Sequence, residues 1–337
     1  MPFLPFLHAV AERRSLSSDQ AREAMQAILA GEVSPAQIAA FLVALRMKGE
    51  TVEELVGFAR AMRHMAVRVD PGLNGETLLD TCGTGGDGQG TFNISTIAAF
   101  VVAGAGVRVA KHGNRSLSSH CGSADLLESL GIAVPLPPER VAQAIREIGI
   151  GFLFAPAIHT AMKYAQPVRA ELKMRTVFNL LGPLTNPAGA TAQLVGAPSG
   201  LAAELMAGAL AQLGLERGFV VHGSDGLDEI TTTGPTLAFE VRSGQVVRRT
   251  LQPEDFGVPA AGATDLKGGD KETNARIARG ILEGAKGAQR DIVLVNAAAA
   301  LVAAGRAGEF REAMELARVS IDSGAARKKA EDLAKFR

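Results

Sequence analysis

The stretch Leu79-Asp80-Thr81-Cys82-Gly83-Thr84-Gly85-Gly86-Asp87-Gly88-Gln89-Gly90-Thr91 decides how the rest of the chain is read. It lies between an apolar run at 77–79 and the helix opening Asn93-Ile94-Ser95-Thr96, and five of the eight residues from Gly83 to Gly90 are glycine. A turn of that composition exposes successive backbone N–H groups, lets a phosphate approach the main chain, and adds the positive end of the following helix. The alternative is a purely structural turn. Gly83, Gly85 and Gly88 also satisfy G-x-G-x-x-G, but Lys111 stands where a dinucleotide site needs an acidic residue. Gln89-Gly90 stands where a Walker loop needs Lys-Ser/Thr.

Outward from this loop, short apolar runs, glycine turns and alanine-rich helices alternate: 77–79, 94–103, 107–110 and 124–130. Strand-like runs recur at 152–154, 194–195, 218–222 and 292–295, with helices at 201–213 and 274–282. That grammar predicts a mostly parallel sheet with helices on its faces. The run at 237–249, with Ser243-Gly244 at its turn, reads as an antiparallel hairpin. Residues 18–69 read as helices: Ser18-Asp19-Gln20 caps one, Ser34-Pro35 opens another, and Thr51 with Glu54 begins a third. Residues 161–181 are again helical and charged, which predicts that they pack back on the N-terminal helices. The expected fold class is therefore α/β, a small helical domain plus a larger α/β domain with a mostly parallel central sheet. The expected boundaries are 1–72 for the helical domain, joined by 161–187, and 73–160 with 188–337 for the α/β domain.

The 337 residues carry 35 basic and 35 acidic side chains, a net charge of zero, with 38 glycines. This excludes the broad positive field that nucleic acid or an anionic membrane surface requires, so an anion must be held locally. The apolar stretch 292–305 runs for about 14 residues, short of the ~20 a membrane span needs. Two cysteines, Cys82 and Cys121, provide no disulfide framework, and the N-terminus shows neither a basic leader nor a cleavage site. The expectation is a cytoplasmic protein with reduced thiols.

A second anion-binding surface is predicted at Lys111-His112-Gly113-Asn114-Arg115-Ser116-Leu117-Ser118-Ser119, followed by Gly122-Ser123-Ala124-Asp125. Two such loops suit a ligand with phosphates at both ends, although each alone also reads as a solvated loop. Asp225-Gly226-Leu227-Asp228-Glu229 supplies adjacent hard oxygen ligands for Mg²⁺, or simply an acidic turn. His8 and His64 read as ordinary helix residues, and His120 and His222 lack zinc spacing. His112 and His159 fall in or near the motifs, where a neutral structural role competes with acid–base work.

Assembled, the blocks at 79–131, 152–187 and 222–229 closely resemble the anthranilate phosphoribosyltransferases of tryptophan biosynthesis. The resemblance implies transfer of the phosphoribosyl group of 5-phosphoribosyl diphosphate to the anthranilate amine, with Mg²⁺, two ions, as cofactor and a homodimer formed through the helical domain. It assigns the donor to Gly83, Gly86, Asp87, Thr91, Asn93, Ile94, Ser95 and Thr96. It also assigns it to Lys111, His112, Gly113, Asn114, Arg115, Ser116, Leu117, Ser118, Ser119 and Ser123. Anthranilate falls to Gly83, Asn114, His159, Tyr164, Arg169, Gly182 and Pro183, and the metal to Ser95, Asp228 and Glu229. The expected catalytic residues are Lys111, Asp228 and Glu229: Mg²⁺ held on Ser95, Asp228 and Glu229, with Lys111 and the glycine-loop amides, would neutralise charge developing on the departing diphosphate. A pyrimidine nucleoside phosphorylase-like enzyme and a non-catalytic nucleic-acid-binding relative are the competing readings. Two departures stand out: Lys173 replaces the usual glycine before the Met174-Arg175-Thr176 block, and Cys121 replaces a common serine.

Overall fold

The computed structural model describes residues 3–116 and 121–336. Helices α1 (Leu4–Ala11), α2 (Ser18–Leu29), α3 (Pro35–Lys48) and α4 (Val52–Met65) come first. Three of them begin on reciprocal caps: the Ser17, Ser34 and Thr51 side chains accept the amides of Gln20, Gln37 and Glu54, whose side chains accept the cap amides in return. The cap of α2 is thus Ser17 and not the expected Ser18, because the glutamine three residues beyond closes the box only with Ser17.

Next come β1 (Leu78–Gly83), α5 (Ile94–Gly104), β2 (Arg108–Gly113), α6 (Ser123–Ser129), α7 (Pro138–Glu147) and β3 (Ile150–Phe154). Three short helices follow, α8 (Ala155–Ile158), α9 (Gln166–Leu172) and α10 (Phe178–Leu181), then β4 (Ala192–Gly196), α11 (Gly200–Gln212) and β5 (Arg217–Gly223). A hairpin of β6 (Thr236–Arg242) and β7 (Gln245–Leu251) precedes α12 (Lys271–Leu282), α13 (Ala288–Ala303), α14 (Phe310–Asp322) and α15 (Ala325–Lys335). Among the described residues one sheet of seven strands runs in the order β3-β2-β1-β4-β5-β6-β7. Its first five members are parallel and the hairpin is antiparallel, with Ser243 and Gly244 at φ 49° and 79° making the tight turn.

Chain order reverses between β1 and β4: from β1 the chain proceeds to β2 and β3 on one side, then returns to build β4 and β5 on the other. A crevice opens at the carboxyl ends of strands where such a reversal occurs. Here those ends are Gly83 and Gly196, which are paired in register.

One strand expectation fails. Residues 292–295 lie inside α13, a helix buried almost all round against α5, α14 and the sheet. A short β-branched run cannot be told from a buried helix by periodicity, and here the following alanines carry the helix on. None of the helices is long and apolar enough to cross a membrane among the described residues.

The mid-chain segment forms a 3₁₀ turn at Thr160–Tyr164 followed by α9 and α10, in place of one continuous helix. Its residues Ala165, Val168, Phe178 and Leu181 share an apolar cluster with α2, α3 and α4, and the same cluster runs on into α11 and Val195, Val220 and Phe239 of the sheet. The chain leaves α9 through Lys173, which sits in the left-handed region at φ 47°. A glycine accepts that conformation freely, whereas a side chain there costs about 1 kcal/mol. Lys173→Gly is expected to raise the stability of the protein by about 0.5–1 kcal/mol, read from the urea unfolding midpoint; no gain would show that the lysine makes up the strain elsewhere.

Candidate active site

The crevice is shaped by two close approaches. A Cβ on Gly83 would stand 2.7 Å from Asp228 Oδ2, and one on Gly196 would collide with the Asp228 carbonyl oxygen. Glycine at both strand ends therefore lets the acidic loop after β5 lie directly on β1 and β4. Asp228 Oδ2 accepts the Gly85 amide at 2.8 Å, and Glu229 Oε1 accepts the Ser95 amide at 3.1 Å, so both carboxylates reach the glycine loop and the start of α5. Burial and the neighbouring Asp87 push the Asp228 carboxyl up to about 6. Burial and Asp228 push Glu229 up to about 8.

Lys111, on β2, is buried beneath this cluster and donates to the Thr81 carbonyl and, at 3.4 Å, to Ser95 Oγ. Burial lowers its pKa against the pull of Asp80, Glu229 and Asp228. Asp80 is itself buried; it accepts the His112 amide at 3.0 Å and Asn186 Nδ2 at 2.7 Å, which ties β1 to β2 and to the chain entering β4. The glycine loop is open on one side. Among the described residues the amides of Gly86, Asp87 and Gly88 donate to no protein acceptor. Its far end is held by Lys267, whose Nζ donates to the Gln89 carbonyl at 2.8 Å, and by the Gly268 amide, which donates to the Gly90 carbonyl.

The second expected loop is only partly described. Leu117, Ser118 and Ser119, like His120, lie outside the described residues. Asn114 turns its side-chain oxygen to the Arg115 amide at 2.7 Å, and Ser123 Oγ bridges the Asn114 amide and carbonyl. The Arg115 guanidinium pairs with both oxygens of Glu128 and with Asp125, and the Asp125 carboxylate also takes Lys271 and the amides of Ser116 and Gly122. Gly113 gives room for Ser123, whose Oγ fills the space that a Cβ would need. The side chains of Ile94 and Thr96 are buried. Asn93 binds the Cys121 carbonyl and Asn274, while Thr91 bridges to Lys267.

Of the residues expected to meet the acceptor, His159 faces His112 with ring centroids 5.1 Å apart. His112 Nδ1 bonds the Gly182 carbonyl at 3.1 Å, and the Nε2 atoms of both rings are buried without a partner among the described residues. The Pro183 carbonyl accepts Gln193 Nε2. Arg169 bonds Gln166 and lies over Phe178, and Tyr164 packs on Gly31 at the turn between α2 and α3. Burial, with His159 nearby, lowers His112 to about 3, and burial lowers His159 to about 4. Both rings thus stay neutral when folded and gain protons on unfolding below their ordinary value of about 6.5, so stability falls as pH drops from there. His159→Gln is expected to lose about 1–2 kcal/mol less than the parent between pH 7 and pH 5 in urea titrations; equal losses would place a polar partner on His159.

Sequence reasoning did not single out Arg175, Asp80, Asn186 or Lys267. Arg175 Nη2 donates to the carbonyls of Gly85, at 2.6 Å, and Gly86. Nothing in its neighbourhood of the chain signals that contact, because Gly85 lies 90 residues earlier.

Comparison with known proteins agrees with this geometry. The family model described as the glycosyl transferase family a/b domain matches residues 75–327, and that family's helical bundle domain matches residues 4–66. A curated anthranilate phosphoribosyltransferase of Solibacter usitatus is 72% identical over 336 residues, covering 100% of this chain and 99% of the relative. The crystal structure of anthranilate phosphoribosyltransferase from Thermus thermophilus superposes with a TM-score of 0.93 at 47% identity, covering 98% of each chain. The Saccharomyces cerevisiae enzyme in complex with PRPP and Mg superposes with a TM-score of 0.89 at 28% identity, covering 99% of this chain and 98% of that one.

Proposed function

This chain belongs to the glycosyl transferase family as an anthranilate phosphoribosyltransferase, and from that membership we propose the part each residue plays in its reaction. The enzyme transfers the phosphoribosyl group of 5-phosphoribosyl diphosphate to anthranilate, giving N-(5-phosphoribosyl)anthranilate and diphosphate, in tryptophan biosynthesis. The observation that carries the site assignment is the row of open amides at Gly86, Asp87 and Gly88 beside the paired carboxylates Asp228 and Glu229.

The carboxylates fit a divalent cation. Burial first, then Asp87 beside Asp228 and Asp228 beside Glu229, makes a second negative charge costly here, and such hard oxygens suit Mg²⁺. Ser95, Asp228 and Glu229 would hold it, with two ions proposed. When bound, Mg²⁺ supplies positive charge to the departing diphosphate.

The acceptor amine is already neutral near pH 7, so the demanding event is breakage of the bond between C1 and the diphosphate oxygen. The glycine-loop amides bind the donor's phosphates and hold still while charge develops, which is where fixed dipoles contribute most. Lys111 fixes Ser95 from below and offsets the charge of Glu229. Asn114, Arg115, Ser116 and Ser123 form the second donor surface, and Asp125 and Glu128 pair with the Arg115 guanidinium. His112, His159, Tyr164, Arg169, Gly182 and Pro183 line the acceptor side, where the Arg169 guanidinium suits the anthranilate carboxylate and both imidazoles are neutral. The effect is mainly positioning of the amine against C1.

The domain boundaries set out above, with 161–187 counted in the helical part, are proposed on the shared apolar cluster. A homodimer through the helical domain is proposed on Leu4 and Met47, large apolar side chains exposed on the packed pair α1 and α3. Two free buried cysteines suit a cytoplasmic location. The deciding experiment is incubation of the purified protein with phosphoribosyl diphosphate, Mg²⁺ and anthranilate while anthranilate fluorescence is followed. Its loss, dependent on all three, is the expected result. Turnover only with a different aromatic amine would overturn the acceptor.

A further inference from the structure

The glycine loop is a poor object to hold in one shape, since each of its glycines loses much backbone freedom on ordering. Gly85 and Gly86 both sit at positive φ, 68° and 69°, and their two carbonyls converge on a single nitrogen, Nη2 of Arg175. The same stretch uses its Gly85 amide on Asp228, which leaves the amides from Gly86 to Gly88 as its open donors among the described residues. Arg175 therefore holds the carbonyl side of a peptide run whose amide side is open. Its own origin is fixed: Thr176 and Val177 are buried, and the Thr176 amide donates to Asn179 Oδ1, starting α10. Its second terminal nitrogen, Nη1, is buried without a partner among the described residues. Arg175 also offsets the Asp228 carboxylate.

Arg175 is borne on the connection between α9 and α10, beside the acceptor-lining residues Arg169 and Gly182, yet the hydrogen bonds of its guanidinium go to the donor loop. We propose that Arg175 is a positioning residue for the donor: it orders residues 84–88 from their carbonyl side so that the opposite amides meet the diphosphate, and it makes that order depend on the acceptor-side connection. The proposal rests on the donor reading of the loop given above.

The test uses the full-length enzyme and its variants Arg175→Gln and Arg175→Lys, with steady-state kinetics in both substrates and amide hydrogen exchange by peptide. Arg175→Gln is expected to raise KM for phosphoribosyl diphosphate about 10- to 100-fold, as loss of one or two charge-assisted hydrogen bonds predicts. KM for anthranilate at saturating donor stays within about twofold. Without any ligand, exchange of the bonded Thr84 and Gly85 amides accelerates in Arg175→Gln while the rest of β1 and β4 keeps its protection. Arg175→Lys restores part of both effects, since an ammonium keeps the charge but lacks the planar fork. A donor KM within about twofold of the parent overturns the proposal. So does a joint rise of both KM values with faster exchange across β1 and β4, which is the signature of general loosening. The exchange arm needs no substrate, so it separates failure of this proposal from failure of the donor reading: unchanged exchange at Thr84 and Gly85 sinks the first, and absent turnover by the parent sinks the second.

Discussion

Replacing Asp228 and Glu229 together with alanine is expected to lower kcat by about 10³-fold or more while changing KM for anthranilate by no more than a few fold. Both carboxylates stand in a buried crevice at raised pKa, so the protein keeps them there against a desolvation cost. Carboxyls kept at such a cost beside the open amides are the groups proposed above to hold the cation at the leaving group. The loss should appear in steady-state rates measured across a range of Mg²⁺ concentrations. Full turnover by the double variant at low Mg²⁺ would remove both residues from the chemistry.

Glu54→Ala is expected to destabilise the protein by about 3–5 kcal/mol. Glu54 is fully buried in α4, and its carboxylate accepts the amides of Leu16 and Thr51 and the ammonium of Lys48, each at 2.9 Å. Truncation leaves a buried lysine without its partner and two amides without an acceptor, which is the costly way to break a buried pair. Urea unfolding of Glu54→Ala and Glu54→Gln would separate the contributions, because the amide side chain still accepts from one backbone group. A loss below about 1 kcal/mol in the alanine variant would mean that water replaces the carboxylate.

What the sequence made legible was whatever is written locally. Ser34 announces its helix through the proline after it and Thr51 through a capping box that spans four residues, and the glycine loop announces itself by composition alone. The Asp228-Glu229 pair was visible as an acidic turn, but its importance depends on Gly83 and Gly196 admitting it to the strand ends, a contact between distant segments. Arg175 was unreadable for the same reason: a lone arginine carries no signal until the fold brings it to Gly85 and Gly86. The misreading of 292–295 is different in kind. A helix buried on all sides has no polar face, so it lacks the 3.6-residue rhythm by which helices are recognised.

The apolar cluster that runs from α2 and α4 through α11 into Val195 and Val220 has a thermal consequence. The bundle and the strands β4 and β5 share one apolar core, so heat cannot melt one and spare the other. Calorimetry should see a single endotherm for both, and damage confined to α4 would lower the temperature at which the sheet comes apart.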